Sequence, residues 1–179
     1  MKPYSYDIYR YYGQYKETAS QKRLRPKGLD YIILFRKAQN AKSKIAKSYY
    51  ESKLRKLSKK TFIQISPETK IGKGFYIGHE GIVIINKKAV LGNNVNIATG
   101  VTIGQENRGK RKGYPTIGNN VWIGTNAVIV GNINIGNDVL IAPLSYVNFD
   151  VPDHSIVIGN PAKIIERENA VDHYVDNRV

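Results

Sequence analysis

Aliphatic residues spaced by six run through the C-terminal two thirds of this 179-residue chain. The leading positions are Ile71, Ile77, Ile85, Leu91, Ile97, Ile103, Ile117, Ile123, Ile129, Ile135, Ile141 and Val147. A small residue follows most of them (Gly72, Gly78, Gly92, Ala98, Gly104, Gly118, Gly124, Gly136, Ala142), and four positions after the leader comes a second small or apolar residue such as Ala89, Val95, Val101, Val121 or Val139. A period of six is neither helical nor the alternation of a sandwich strand. It fits a short strand and a tight turn, repeated until three strands close a triangular coil. The leader then points inward and stacks on its equivalents in the coils above and below. The following Gly or Asn takes a corner where φ is positive. Twelve hexads predict about four coils, roughly 19 Å of stack at ~4.7 Å per coil. The register slips twice: two residues are added around Gly81 to Ile84, and eight within Gly104 to Thr116.

The rest of the chain differs in kind. Residues 1–62 hold 17 Lys/Arg against 4 Asp/Glu and nine of the 13 tyrosines, whereas residues 63–179 are nearly neutral. Three segments follow: a basic Tyr-rich helical leader (1–62), a coil domain (63–165) with an inserted loop at 104–116, and a tail (166–179). One helix is expected over 29–58, where Ile33, Phe35, Ala38, Ala41, Ile45, Tyr49 and Leu57 keep helical spacing, and another over Tyr4 to Tyr15. A stack of few coils needs its ends covered, so the leader is expected to cap the coils or join subunits. A surface role against an anionic membrane or glycan is a second reading. No nucleic-acid motif is present, and nucleic acid is not an expected partner. The absence of cysteine excludes a disulfide framework, a thiol nucleophile and a Cys-ligated zinc site. No apolar run approaches the ~18 residues of a membrane span, and no signal core opens the chain, which makes the cytoplasm the default expectation.

The body resembles the hexapeptide-repeat acyltransferases, above all the serine acetyltransferase branch and its relatives in capsule and exopolysaccharide synthesis. The stretches that carry the resemblance are Ile77-Gly78-His79-Glu80-Gly81, Gly100-Val101-Thr102-Ile103-Gly104-Gln105, Val121-Trp122-Ile123-Gly124, Val151-Pro152-Asp153-His154-Ser155 and Gly159-Asn160-Pro161-Ala162-Lys163. It implies a mainly β, left-handed parallel β-helix, a hand that periodicity does not give. It also implies acetyl-CoA as co-substrate, a hydroxyl acceptor and a homotrimer with sites between subunits.

Acetyl transfer to a hydroxyl requires a base beside the attacking oxygen and donors for the oxyanion. Three histidines are available. His173 sits in a polar tail and His154 in a turn leaving the last coil, where a structural role is expected. His79 falls where the repeat slips and matches the family's catalytic histidine. The family's acidic partners fall on Gln64 and Gly78, and its Arg-His pair for a substrate carboxylate falls on Gly113-Tyr114. Glu68, Glu80 or a backbone carbonyl is left to orient His79. Without a cation at Gly113-Tyr114, a sugar hydroxyl is favoured over serine as acceptor, with Gln64, Glu80 and Tyr114 on the acceptor side and Tyr114 or Trp122 to support a sugar ring. Serine remains the alternative, and a non-catalytic scaffold a second. The resemblance places the cofactor slot at Gly104, Gln105, Thr125 and Pro143, closed by Lys163. The cationic loop Gln105 to Gly113 reads equally as an arm over the thioester or as a solvated loop. No metal site is expected.

Overall fold

The computed structural model describes residues 1–179. Four helices come first: α1 (Ser5–Tyr12), α2 (Ala19–Arg23), α3 (Lys27–Gln39) and α4 (Lys44–Thr61). Five coils of a left-handed parallel β-helix follow. The first holds β1 (Ile63–Ile65), β2 (Lys70–Ile71) and β3 (Tyr76–Ile77), and the second β4 (Val83–Ile85), β5 (Val90–Leu91) and β6 (Asn96–Ile97). The third holds β7 (Thr102–Gly104), β8 (Thr116–Ile117) and β9 (Val121–Ile123), and the fourth β10 (Val128–Val130), β11 (Asn134–Ile135) and β12 (Val139–Ile141). The fifth is β13 (Tyr146–Val147), a bridge at Val151, and β14 (Ser155–Gly159), after which β15 (Ala162–Glu166) turns back antiparallel on β14. The strands form three faces: β1-β4-β7-β10-β13, β2-β5-β8-β11, and β3-β6-β9-β12-β14.

All twelve leading aliphatics point inward. They form three ladders: Ile65-Ile85-Ile103-Ile129-Val147, Ile71-Leu91-Ile117-Ile135-Val151 and Ile77-Ile97-Ile123-Ile141-Val157. Ile65, Val151 and Val157 complete a fifth coil beyond the four expected. Ile65 keeps the spacing of six to Ile71 but is followed by Ser66-Pro67 rather than Gly or Ala, and Val151 trails Val147 by four, which breaks the spacing.

Corner chemistry repeats as well. Asn93, Asn119, Asn137 and Asp153 stack at the corner between the second and third faces. Each side-chain oxygen accepts the backbone N–H of Lys73, Asn93, Asn119 and Asn137 in the coil before, at 2.7–2.8 Å. These bonds also hold the Asp153 carboxyl below its ordinary value. The next residue in each corner, Asn94, Asn120, Asp138 and His154, has φ between 53° and 56°. Glycine precedes the first three pairs, at Gly92, Gly118 and Gly136, because a Cβ at Gly92 would stand 2.5 Å from the Gly118 carbonyl oxygen; the last pair, with no further coil beyond it, follows Pro152.

The helices close the open end of the stack. The Tyr31 hydroxyl donates to Ile65 O (3.1 Å) and accepts from Ile65 N (3.0 Å) on the first face. Tyr11 does the same at Ile77 on the third. Arg36 donates to the carbonyls of Ile71 and Gly72 while held in a buried pair with Asp7, whose other bond is from Phe75 N–H. Arg10 reaches Gly74 O and Asn96 Oδ1. Tyr31, Ile32, Phe35 and Leu54 join the coil core directly. The single helix expected over 29–58 is a hairpin. Asn40 ends α3 by bonding Arg36 O, and Ser43 caps α4 by accepting from Ala46 N–H. A further short helix, α2, opens on a reciprocal Thr18–Gln21 capping box.

The tail runs down the third face from the last coil to α1. Asp138 accepts from the N–H of Ala170 and Val171 and pairs with His154 at 2.8 Å, which raises the His154 imidazole above its ordinary value, with Glu168 adding a smaller pull. Ala170, Val171 and Val175 pack on Leu140 and Ala142, Tyr174 leans on Trp122 at 4.9 Å, and Arg10 binds Asp176 O.

Replacing Arg36 with Met strands Asp7 in the cap and is expected to cost about 3–5 kcal/mol by urea unfolding, with partial recovery in the Asp7→Asn/Arg36→Met double variant. Asp138→Ala is expected to free the tail, red-shifting the emission of the sole tryptophan, Trp122. The charged His154 is favoured in the folded state, so its stabilising pairing is full below the unfolded value of about 6.5 and lost as pH rises through the folded one. An NMR titration should find His154 above the ordinary value in the native protein and shifted back down in Asp138→Asn.

Candidate functional site

The corner between the third and first faces is three residues long in the regular coils: Ala98-Thr99-Gly100, Gly124-Thr125-Asn126 and Ala142-Pro143-Leu144. In the first coil it is five, Gly78 to Ile82, and the extra length carries His79 and Glu80 outward. The corners still stack through backbone bonds: Gly81 N–H to Thr61 O (3.0 Å), Gly100 N–H to Ile82 O (2.6 Å), Asn126 N–H to Thr99 O (3.0 Å) and Leu144 N–H to Thr125 O (2.9 Å). Gly81 stands at φ +143°, and a Cβ there would run into the Thr99 hydroxyl. The loop is thus fixed at both ends, with the His79 imidazole exposed and without a hydrogen-bond partner in its own chain. Phe62 and Ile82, 59% and 56% exposed, give its surroundings an apolar rim.

The other candidates fall into separate places. Thr125 and Pro143 continue the His79 corner, two and three coils further on. Gln64 projects from β1 beside Ile84 and lines a cleft of about 460 Å³ with Glu51, Arg55 and Ser58 of α4. Glu80 is exposed and makes no ion pair. Gly104 and Gln105 lie at the far end of the first face, and so does Tyr114, whose ring lies 5.1 Å from the Lys88 ammonium. That corner is at the opposite end of the first face from the His79 corner, a strand of about six residues or roughly 20 Å when extended. One subunit therefore does not bring Tyr114, Gly104 or Gln105 to His79. Glu68 is at the same far corner, paired with Lys87 at 3.4 Å, so it does not orient His79. Lys163 sits on β15 opposite Ile158 at the closing end of the stack. Trp122 is covered by the tail and does not support a sugar ring from this chain's own His79 corner.

The inserted loop is a hairpin pinned by paired Glu106–Gly113 backbone bonds and by Asn132 N–H to Arg111 O (2.8 Å), with Arg108, Lys110, Arg111 and Lys112 exposed. His154 is occupied by Asp138, and His173 is exposed in the tail. No group of three or more His, Asp or Glu is placed to hold a metal. The α4 side of the cleft, Glu51 and Arg55, was invisible in the sequence because only the fold of the hairpin over β1 sets them beside Gln64.

Comparison with known proteins places the chain. The bacterial transferase hexapeptide family (six repeats) matches residues 114–148. Serine acetyltransferase 2 of Arabidopsis thaliana is 43% identical over 103 residues, 58% of this chain and 32% of that protein. The chain thus spans only about a third to a half of the curated relatives' length. A solved serine acetyltransferase of Neisseria gonorrhoeae in complex with serine superposes with a TM-score of 0.72 at 32% identity, over 90% of this chain and 67% of that one. A serine acetyltransferase of Brucella abortus in complex with coenzyme A does so at 0.73 and 29%, over 91% and 64%.

Gly81→Ala is expected to cost about 1–3 kcal/mol in urea unfolding, because the loop must leave either its positive φ or its contact with Thr99.

Proposed function

The chain belongs to the hexapeptide-repeat acyltransferases, in their serine acetyltransferase-like branch, and from that membership we propose that it is an acetyl-CoA-dependent O-acetyltransferase with His79 as general base. The observation that carries this is the His79 corner. It is the one corner of its column that departs from the repeat, and it presents an unengaged imidazole on a loop held at both ends. In the reaction, the acceptor hydroxyl gives its proton to an imidazole nitrogen of His79 while its oxygen attacks the thioester carbonyl. Collapse of the tetrahedral intermediate breaks the C–S bond, and the imidazolium returns the proton to the departing thiolate. Cysteine is absent, and no serine or lysine is adjacent to His79 in sequence, so transfer is direct rather than through an acetyl-enzyme.

Thr125 and Pro143 share the His79 corner, whereas Gly104 and Gln105 lie one face away. A donor slot using both sets takes one from each of two subunits, which supports a homotrimer with the site between copies. A cytoplasmic setting is part of the same proposal. Packing on the first coil accounts for the buried basic residues of the leader, and no lipid or glycan surface is assigned to it.

The acceptor best supported is the hydroxyl of serine, after the names of the relatives and the serine complex among the similar structures. This displaces the sugar favoured by sequence alone. The sugar reading keeps one specific support: Gly113-Tyr114 offers no bidentate cation for an amino-acid carboxylate.

His79→Ala is expected to lose at least ~100-fold in turnover, measured as thiol release from acetyl-CoA, with subunit assembly unchanged by light scattering. A variant that keeps most of its activity refutes the assignment of the base. The same assay with L-serine and with a panel of sugars decides the acceptor.

A further inference from the structure

Capping absorbs only part of the leader's charge. Arg10 and Arg36 are buried against the first coil, and Arg25 is held by Glu17 and Asp30. Lys2, Lys16, Lys22 and Lys37 form no ion pair; the lysines that do are Lys27, Lys47 and Lys87. All four border one cavity of about 710 Å³ at α1, the segment joining it to α2, α2 itself and α3. Its floor is apolar and aromatic: Tyr4, Ile8, Tyr15 and Ile33. Its one carboxylate, Glu17, has a side chain only 4% exposed and is committed to two nitrogens of Arg25 at 2.7 and 2.8 Å. Four ammonium groups around a concave, apolar floor without a free counter-charge focus positive potential on whatever fills it. The volume is that of a small-molecule site rather than of a surface dimple.

The aromatic groups narrow the ligand. Tyr4 is occupied by cations, with Lys2 and Lys37 within 5.8 Å of its ring centroid. Tyr15 stacks on Tyr9 at 4.6 Å and 22° and meets the Tyr6 ring edge to face at 5.8 Å, yet remains 40% exposed and lines the cavity. The exposed part of this ring thus offers aromatic surface beside a group of point-charge donors suited to phosphate. We propose that this cavity binds a nucleoside di- or triphosphate, with the phosphates among Lys2, Lys16, Lys22 and Lys37 and the base on Tyr15. The site lies on the helical layer, apart from the His79 corner, and does not depend on the identity of the acceptor.

The test is calorimetric titration of the full chain, without coenzyme A, by ATP, ADP, inorganic triphosphate and adenosine. ATP and ADP are expected to bind, triphosphate at least ~10-fold more weakly than ATP, and adenosine not measurably. Lys22→Glu/Lys37→Glu should weaken ATP at least ~10-fold and leave acetyl transfer unchanged. Lys16→Glu/Lys22→Glu, at two exposed positions, carries the same expectation if the first pair fails to fold. ATP affinity that is equal in a folded variant and the native chain overturns the site. Triphosphate binding as tightly as ATP overturns the nucleotide class. ATP displaced by coenzyme A but indifferent to the lysines places it in the donor slot and also overturns the proposal.

Discussion

A coil of a parallel solenoid satisfies its backbone only against another coil, so every stack ends in an unpaired ring of N–H and C=O groups. Left open, that ring is a template for association. Here it is closed side chain by side chain. Tyr31 answers the first face, Arg36 the second and Tyr11 the third, while Asp7 and Arg10 fill the corner between the second and third. The buried Asp7–Arg36 pair follows from this need. A guanidinium able to serve two carbonyls at once must be brought into the interface, and its charge is then compensated by a carboxylate that itself accepts from Phe75 N–H.

The same constraint fixes where chemistry can sit. Inside the stack each side chain is an isoleucine or its equivalent, and at the regular corners glycine and asparagine are consumed by close approach and positive φ. Little is left to react. Where the corner lengthens, at Gly78 to Ile82, the chain leaves the stack and presents an imidazole without a partner, and the backbone bonds from Gly81 N–H to Thr61 O and from Gly100 N–H to Ile82 O keep that departure short and fixed. The pairing of β3 with β6, and of β4 with β1 and β7, thus positions His79 without any direct contact to its ring.

The basic leader divides along the same lines. Two of its arginines, Arg10 and Arg36, planar and multiply donating, work at the coil edge, whereas its lysines remain outside as point charges. Net charge alone did not separate these roles. Seventeen basic residues in the leader form one undifferentiated total, yet Arg36 is compensated by Asp7 and Arg10 is engaged by backbone and amide oxygens, whereas Lys16, Lys22 and Lys37 form no ion pair.

The hexad spacing by itself determined the parallel coil, the inward ladders, the positive-φ corners and the slip that carries His79, because each of these is a local pattern repeated at fixed separation. The tertiary structure decided the fifth coil, since Val151 and, through it, Val157 are out of phase with the twelve leaders and join them only through the rungs they pair with, while Ile65, in phase with Ile71, is shown to be a rung by its pairing with Ile85. It also split the helix at Asn40–Ser43, laid the tail over Trp122, and placed Glu68 and Tyr114 one face away from His79. The helix break rests on local caps at Asn40 and Ser43, but the others depend on contacts between residues tens of positions apart, and no periodicity along the chain encodes which side of a triangle a residue will occupy once insertions have shifted the count.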